Sequence, residues 1–256
     1  MTIWSASKLL KELPVMPNHY FRFKQFTVYQ DKCAMKVCTD ACLFGAIVAA
    51  YEEMPAPGRI LDIGTGTGLL ALMTAQKFQQ AVIDAVETDE TAAMQAASNF
   101  QASPWKDRLN IIHSPVQQYN HSSVQPYHLI ISNPPFYENS LKSDDKKRNL
   151  ALHSDELNFE ELVAAFIRLL ADGGIAAVLL PYARGEEFIQ AAAKNNLYLL
   201  NRVNVKQTVH HNFFRVILFF MKEIHQPSYH TISIKNERDI YTDEFTALLK
   251  PYYLYL

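Results

Sequence analysis

The chain of 256 residues has little net charge, few cysteines and no apolar run of membrane-spanning length. Its 24 basic and 26 acidic side chains leave a net charge of −2, which excludes a protein that coats nucleic acid through overall charge but permits a local basic face. The apolar run 41–51 is too short to cross a bilayer. Residues 1–5 lack the charged-then-apolar layout of a signal peptide. We therefore expect a soluble, cytoplasmic protein without membrane contact.

The sequence contains three cysteines, which are Cys33, Cys38 and Cys42. An odd number suits a reducing compartment, and their spacing matches no zinc-binding pattern. We interpret them as structural and expect no metal site.

Internal repeats and long low-complexity linkers are also missing, while 49% of the residues are hydrophobic, enough for a substantial core. We predict a single monomeric domain. Its predicted parts are an N-terminal extension with a hairpin and a helix over 1–53, a catalytic core over 54–222 and a C-terminal strand and helix over 223–256.

Extended and helical patterns alternate after residue 54, which predicts an α/β fold with a parallel sheet. Strands are predicted near 59–63, 81–87, 109–113, 128–132, 174–181, 197–206, 215–222 and 231–235. Helices are predicted near 68–78, 90–101, 155–171, 185–195 and 243–249. Gly173 and Gly174 are predicted to end the helix over 155–171.

The N-terminal extension carries its own local signals. Residues 21–37 open with alternating aromatic and polar side chains, which predicts a β-hairpin whose turn lies at 30–32. Thr39 and Asp40 offer an N-cap for a helix that runs to about Glu53.

The segment Arg59–Leu72 predicts a strand, a glycine turn and a helix. Its core is Asp62-Ile63-Gly64-Thr65-Gly66-Thr67-Gly68, and the following helix presents free N–H groups to a ligand. Glu87, at the end of the next strand, is placed to accept hydrogen bonds from ribose hydroxyls. This spacing indicates a nucleoside cofactor on a Rossmann-like unit, without choosing between NAD and S-adenosylmethionine. An ordinary strand-to-helix turn is the structural alternative.

The stretch Asn133-Pro134-Pro135-Phe136 directly follows the apolar run 129–132. Two prolines remove N–H donors and stiffen the backbone, and Pro134 disfavours helix at Asn133. The oxygens there stay available for a partner that brings N–H groups, such as the exocyclic amine of a nucleobase. A proline-rich loop that closes a strand, with Phe136 in the core, is the alternative.

A long polar segment, 137–152, follows this motif and carries four cations. These are Lys142, Lys146, Lys147 and Arg148. We predict a lid that meets substrate phosphates, with a solvated loop as the alternative. Farther on, Arg202, Lys206 and Arg215 are interpreted as a solvated face, with extension of a basic surface as the alternative. His210 and His211 are interpreted as loop residues.

With both motifs in hand, the chain resembles class I S-adenosylmethionine-dependent methyltransferases, and the four residues from Asn133 resemble the motif of enzymes that methylate planar-conjugated nitrogen. The resemblance extends over nearly the whole chain to the tRNA1(Val) (adenine-N6)-methyltransferases, which act on adenosine 37. It is carried by further segments: Phe23-Lys24-Gln25-Phe26, Ala34-Met35-Lys36-Val37-Cys38-Thr39-Asp40, Ser103-Pro104-Trp105 and the aromatic C-terminus. The implied fold is a Rossmann-like, seven-stranded, mostly parallel sheet with an antiparallel last strand and helices on both faces.

The resemblance also implies roles. Asn133, Pro134, Pro135 and Phe136 would form the catalytic corner, with Phe136 stacked on the target base. Residues implied for S-adenosyl-L-methionine are Lys36, Thr39, Asp40, Asp62, Gly64, Gly66, Gly68 and Glu87. The family usually has an acidic residue in the loop after the third core strand, which here reads His113–Gln118 without one. Backbone N–H groups or Gln117 would replace it.

Other interpretations remain open at this point. Enzymes that methylate guanine N2 in ribosomal RNA or glutamine N5 in a protein share the same four-residue motif. A cofactor-binding partner subunit without catalysis is possible too. A nicotinamide dehydrogenase is disfavoured by Leu69, which stands where the dinucleotide fingerprint needs glycine.

Overall fold

The computed structural model describes residues 19–33, 36–51, 56–119, 125–135 and 158–256. A two-stranded hairpin, β1 (Tyr20–Arg22) and β2 (Thr27–Tyr29), precedes the first helix. The strands that follow are β3 (Arg59–Ile63), β4 (Val82–Glu87), β5 (Leu109–His113), β6 (Tyr127–Ser132), β7 (Leu170–Pro181), β8 (Tyr198–Thr208), β9 (Phe213–Met221) and β10 (Ser228–Lys235). The helices are α1 (Thr39–Ala50), α2 (Leu69–Lys77), α3 (Glu90–Gln101), α4 (Phe159–Leu169), α5 (Gly185–Lys194) and α6 (Asp243–Leu249).

The described strands β3 to β10 form one eight-stranded sheet in the order β10-β8-β9-β7-β6-β3-β4-β5. All neighbours are parallel except that β9 runs antiparallel to both β7 and β8. The predicted class is therefore confirmed, but the strand count was one too low. β10 pairs in parallel with β8 and extends the sheet beyond the antiparallel strand, so that strand is the last but one.

Apolar side chains cover both faces of the sheet, as alternating βα units require. One core cluster packs α1, α2 and the hairpin against β3, β4 and β6, and it also contains Phe245 and Tyr252 from the C-terminal region. The other cluster lies beneath α4 and α5. The predicted division at 53 and 222 stays a prediction, although both extensions share the first core. Among the described residues, no helix has the length and apolar character needed to cross a membrane.

The hairpin turn was predicted in the wrong place. It lies between β1 and β2, where Phe23 N–H donates to Phe26 O at 2.8 Å, and not at 30–32. The cause is burial: the rings of Phe23 and Phe26 stack at 4.4 Å and point into the core. Gln30, placed in the turn by its polarity, is buried and accepts the Val37 N–H.

Two helix ends also differ from the predictions. The N-cap of α1 is Cys38 without a side-chain cap bond, so Thr39 and Asp40 already lie inside the helix, whose described end is Ala50. Gly173 does not end α4, which stops at Leu169. It lies inside β7 with a positive φ of 70°, beside a register shift in the β6–β7 pairing.

Candidate active site

Three neighbouring strands end together at the carboxyl edge of the sheet. Ile63 at the end of β3 pairs with Val86 of β4 on one side and with Ser132 of β6 on the other. The chain leaves β3 towards β4 but reaches β6 on the opposite side, so the strand order reverses between β3 and β6. In open parallel sheets, ligands bind in the crevice at such a switch point. The register therefore places Gly64, Glu87 and Asn133, each one residue farther on, around one crevice.

The glycine turn needs its glycines for conformation and for space. Gly64, Gly66 and Gly68 all have positive φ values, of 68°, 56° and 84°. A Cβ on Gly68 would lie 2.5 Å from the ring of Phe100, so no other residue fits there without a shift. A Cβ on Gly66 would meet nothing within 4 Å, so this glycine faces open space. A turn with positive φ and open space is what close approach of a ligand to backbone requires.

Glu87 is a buried carboxylate held by backbone amides. Oε2 accepts from Gly66 N at 2.8 Å, and Oε1 accepts from Thr88 N at 2.8 Å and Asp89 N at 3.0 Å. The side chain therefore ties the glycine turn to the end of β4 and fixes its own orientation. Oε2 keeps room for a further donor, because a carboxylate oxygen has two acceptor directions and Gly66 N occupies only one of them. Asp89 caps α3 through Ala92 N.

Asp62 lies beneath the turn and is fully buried. Its Oδ2 accepts from Thr65 Oγ1 at 2.6 Å and from Ala71 N at 3.1 Å, which joins the turn to α2. Oδ1 is buried without a hydrogen-bond partner among the described residues. Burial raises the pKa of Asp62 to about 7, against the opposing effect of those two hydrogen bonds. The cofactor contact of Asp62 stays a prediction; the hydrogen bonds of Asp62 show that it supports the turn from below.

The corner after β6 is anchored to β3. Ser132 Oγ donates to the carbonyl oxygen of Ile63 at 2.9 Å, which fixes the strand end next to the glycine turn. Asn133 is half-buried, Pro134 is buried and Pro135 is exposed. Phe136 and the predicted RNA-contacting cations Lys142, Lys146, Lys147 and Arg148 lie outside the described residues.

The residues implied for the amino-acid end of a cofactor fall at the start of α1. Asp40 Oδ2 accepts from Arg215 Nε at 2.7 Å, an ion pair between α1 and β9 that sequence reasoning missed. Burial opposes the charged form, but hydrogen bonds from Cys38 and Arg215 outweigh it and lower the pKa of Asp40. Lys36 is exposed and Thr39 is half-buried. The pair holds α1 against the sheet edge, whatever else Asp40 contacts.

The loop after β5 contains the predicted substitute for the missing acid. Gln117 is exposed, and its Nε2 donates to Glu161 Oε2 at 3.1 Å. Glu161 is part of the capping box that starts α4 together with Asn158. A carboxylate of α4 thus lies beside this loop and accepts a hydrogen bond from the amide of Gln117.

Two buried amides that sequence reasoning missed attach the N-terminal hairpin to the site. Asn99 donates from Nδ2 to Tyr29 O at 2.9 Å and to Thr67 O at 2.8 Å, so it bridges β2 and the glycine turn. Gln95, one helical turn earlier, accepts Lys32 N–H at 3.2 Å. The available signal was the i, i+4 spacing of two amides on the apolar face of α3.

The three cysteines are free thiols. Burial raises the pKa of Cys33 to about 11 and those of Cys38 and Cys42 to about 12, so all three stay protonated and unreactive at neutral pH. Among the described residues, no cluster of three potential metal ligands occurs.

Comparison with known sequences agrees with this geometry. Residues 46–157 match the family model described as the methyltransferase small domain. A tRNA1(Val) (adenine(37)-N6)-methyltransferase of Flavobacterium psychrophilum is 42% identical over 234 residues, which cover 91% of this chain and 99% of that protein. The protein of the same name from Trichodesmium erythraeum is 39% identical over 241 residues, 93% of this chain and 99% of its own.

Solved structures with the same fold are far more distant in sequence. A predicted O-methyltransferase from Agrobacterium tumefaciens superimposes with a TM-score of 0.63 at 16% identity, covering 82% of this chain and 95% of its own. TYW2 from P. horikoshii, solved in complex with MeSAdo, gives a TM-score of 0.57 at 14% identity over 80% of this chain and 71% of its own. At such identities the likeness establishes the fold alone.

Proposed function

Because the chain belongs to the family of tRNA1(Val) (adenine(37)-N6)-methyltransferases, we propose that it transfers a methyl group from S-adenosyl-L-methionine to the N6 amine of an adenosine in tRNA. The proposed target is adenosine 37 in the anticodon loop of tRNA1(Val), and the proposed location is the cytoplasm. The observation that carries the proposal is the strand register that sets Asn133 and the glycine turn side by side at the switch point.

The crevice fits the cofactor. The open space at Gly66 suits the methionine portion, and Glu87 at the end of β4 suits the ribose hydroxyls. Lys36, Thr39 and Asp40 would border the amino-acid end. Glu161 and Gln117 would stand near the adenine, in place of the missing loop acid. The bound cofactor supplies an electrophilic methyl group on a sulfonium.

The protein's task is to make a poor nucleophile react. The lone pair of an adenine amine is delocalised into the ring. The Asn133 side-chain oxygen and the Pro134 carbonyl each accept one N6–H bond, which favours a pyramidal nitrogen whose lone pair points at the methyl carbon. These bonds strengthen as positive charge develops on N6, so they stabilise the transition state more than the ground state. No dedicated base is needed, since the methylated nitrogen loses its proton readily.

Target access sets the energetic requirement. Extruding a base costs a few kcal/mol, and less from a loop than from a duplex. Stacking on an aromatic side chain returns about 1–3 kcal/mol per base, and Phe136 is the proposed platform. Alignment of the two reactants supplies roughly 7–11 kcal/mol of the barrier reduction. An anticodon-loop purine is therefore a suitable substrate.

One experiment tests the proposal as a whole. The purified protein is incubated with methyl-labelled S-adenosylmethionine and unmodified total tRNA, and the RNA is digested to nucleosides. Label in N6-methyladenosine is the expected result. Label in a guanosine, label in a protein glutamine when the matching substrates are offered, or cofactor binding without transfer would each overturn it in favour of a rival.

A further inference from the structure

A row of cations stacked on aromatic rings lies along the carboxyl edge, beyond the crevice. We call it the cation–aromatic strip and define it by Phe159, Tyr182, Arg184, Arg202, Lys206 and Phe213. Arg184 lies 4.5 Å from the Phe159 ring centre, Arg202 lies 5.4 Å from that of Tyr182, and Lys206 Nζ lies 5.0 Å from that of Phe213. The Tyr182 and Phe213 rings contact each other at 4.9 Å. This ring contact joins the second and third pairs, and Arg184 of the first pair lies in the same short turn as Tyr182.

Topology places this strip beside Asn133. Tyr182 and Arg184 follow the end of β7, Lys206 is near the end of β8, and Phe213 begins the antiparallel β9, so all lie at the edge where β6 ends. In the order β6-β7-β9-β8, three strand spacings of about 4.8 Å separate β8 from β6, and the register puts Arg202 level with Ser132 and Lys206 farther out along β8. A chain held at that corner can reach the strip directly.

The cations of the strip differ in how freely they can meet a phosphate. Arg184 pairs with Glu187, and both side chains are largely exposed, so the pair contributes little stability and a phosphate can replace Glu187 at small cost. The Arg202 side chain is only 15% exposed, donates to Asn204 Oδ1 at 2.9 Å and faces solvent through its pair with the exposed Glu186 at 3.3 Å. Lys206 has no carboxylate partner among the described residues; its Nζ reaches only the Val209 carbonyl at 3.5 Å.

We propose that the cation–aromatic strip binds the sugar–phosphate backbone of the tRNA anticodon stem-loop next to the target nucleotide. The inference rests on the proposed function, because it takes its ligand to be the RNA substrate. Cation–ring contacts occur about once per 70–80 residues. Here three of the six among the described residues adjoin one another at one edge. Fixed cations with aromatic rings are the combination with which proteins track nucleic-acid strands.

The test measures tRNA binding by the full-length protein as a function of salt, with cofactor binding measured separately. Variants are Arg184→Ala, Arg202→Ala, Lys206→Ala and the triple variant. The matched control is the double variant Lys77→Ala/Lys194→Ala, which removes exposed lysines at the C-termini of α2 and α5 on the opposite edge of the sheet. Thermal unfolding confirms that each variant folds.

Each single strip variant is expected to weaken tRNA binding about fivefold and to reduce the slope of log K against log salt by roughly 0.7–0.9. The triple variant is expected to lose roughly a hundredfold, if the sites are independent. Lys206→Arg, which keeps the positive charge, is expected to bind tRNA as tightly as the wild-type protein. Cofactor affinity, the identity of the methylated nucleoside and the binding of the control variant should stay unchanged.

Two results would refute the proposal that the strip binds RNA. One is a triple variant with wild-type affinity and salt slope, and the other is an equal loss in the control variant, which would reveal only an effect of net charge. The proposed function fails separately. If the wild-type protein binds tRNA through the strip but transfers no methyl group, the proposed RNA-binding role of the strip is supported and the proposed methyltransferase activity is refuted. If it methylates tRNA regardless of the strip variants, the reverse holds.

Discussion

Asp62 and Asp84 are buried carboxylates on adjacent parallel strands, and they are built for different purposes. Asp84, towards the amino edge, is fully partnered: Oδ1 accepts from Asn110 Nδ2 at 2.8 Å, and Oδ2 accepts from Tyr127 OH at 2.6 Å and from Arg59. Asp62, beneath the crevice, has one oxygen with two donors and one with none among the described residues.

The two carboxylates differ in how completely their oxygens are hydrogen-bonded, and this difference has an energetic consequence. Buried polar groups are normally satisfied, because an unpaired one costs about 1–3 kcal/mol. At the amino edge the rule holds for Asp84, which lies in a network of strand residues. At the carboxyl edge Asp62 holds an open, positive-φ turn in place, and the turn leaves no second donor for it. Of the two carboxylates, the one beneath the crevice is therefore the less completely bonded, although the Nε of Arg59, the ion-pair partner of Asp84, also lacks a hydrogen-bond partner among the described residues.

Asn133→Ala is the variant with the largest expected effect and would show that the two edges differ in chemistry. Loss of one acceptor that acts in the transition state should lower turnover by about 100- to 1,000-fold with little change in cofactor affinity. The control is Asn110→Ala at the amino edge, which should leave turnover intact and cost about 0.5–1.5 kcal/mol of stability. Near-normal turnover of the Asn133 variant on tRNA would refute the mechanism.

Replacing each of the two aspartates by asparagine should change the stability of the protein differently. Asp84→Asn removes the charge that faces Arg59 in a nearly buried pair, so we expect a loss of about 2–4 kcal/mol in the free energy of unfolding. Asp62→Asn keeps an oxygen for Thr65 and Ala71 and removes a buried charge, so at pH 8 it should be neutral or stabilising. Urea unfolding of both variants measures this, and equal destabilisation would contradict the comparison.

The pH dependence of stability separates the same two sites. Asp62 has a folded-state pKa of about 7, above its ordinary value of 3.8, so the folded protein binds the extra proton between these values. Its contribution to the free energy of unfolding is therefore present at low pH and lost as pH rises from about 4 to about 7. Asp62→Asn should flatten that part of the profile, and an unchanged slope in the variant would show that another group titrates.

Gln117→Ala has the smallest expected effect. The amide is exposed and bonded to Glu161, so removing it should weaken cofactor binding by about threefold or less, as exposed polar contacts do. Glu161→Gln, measured by the same calorimetric titration, should weaken it more if the carboxylate of α4 replaces the missing loop acid. A larger loss for Gln117→Ala than for Glu161→Gln would reverse these roles.

Local patterns predicted the parts of the fold that depend on neighbours in sequence. The strands at 59–63 and 109–113, and the helices at 90–101 and 243–249, match the structure residue for residue because their periodicity and caps are local. The hairpin turn failed because Phe23 and Phe26 turn inward against the core, a contact with residues far along the chain. The strand over 231–235 was predicted, but its place as the eighth strand of the sheet was not, because pairing with β8 depends on residues outside its own pattern.

Prediction of the site divides in the same way. Strand order and motif spacing predicted that the glycine turn, Glu87 and Asn133 follow strand ends, and the strand register sets them side by side, while their roles stay predictions. Other contacts of the site join residues that are distant in sequence, so no local pattern predicts them. The hydrogen bond from Asn99 to Thr67 spans 32 positions, and the ion pair of Asp40 with Arg215 spans 175. The full burial of Asp62 was also invisible, because an aspartate before a glycine turn suits a ligand contact equally well.

The geometry of the catalytic corner can be seen in a structure of the protein with the demethylated cofactor product and an unmodified anticodon stem-loop. We predict a flipped adenine whose N6 lies within hydrogen-bond distance of the Asn133 side-chain oxygen and the Pro134 carbonyl, with the cofactor sulfur in line behind it. A cofactor bound away from this corner, or an adenine amine that contacts neither oxygen, would contradict this prediction.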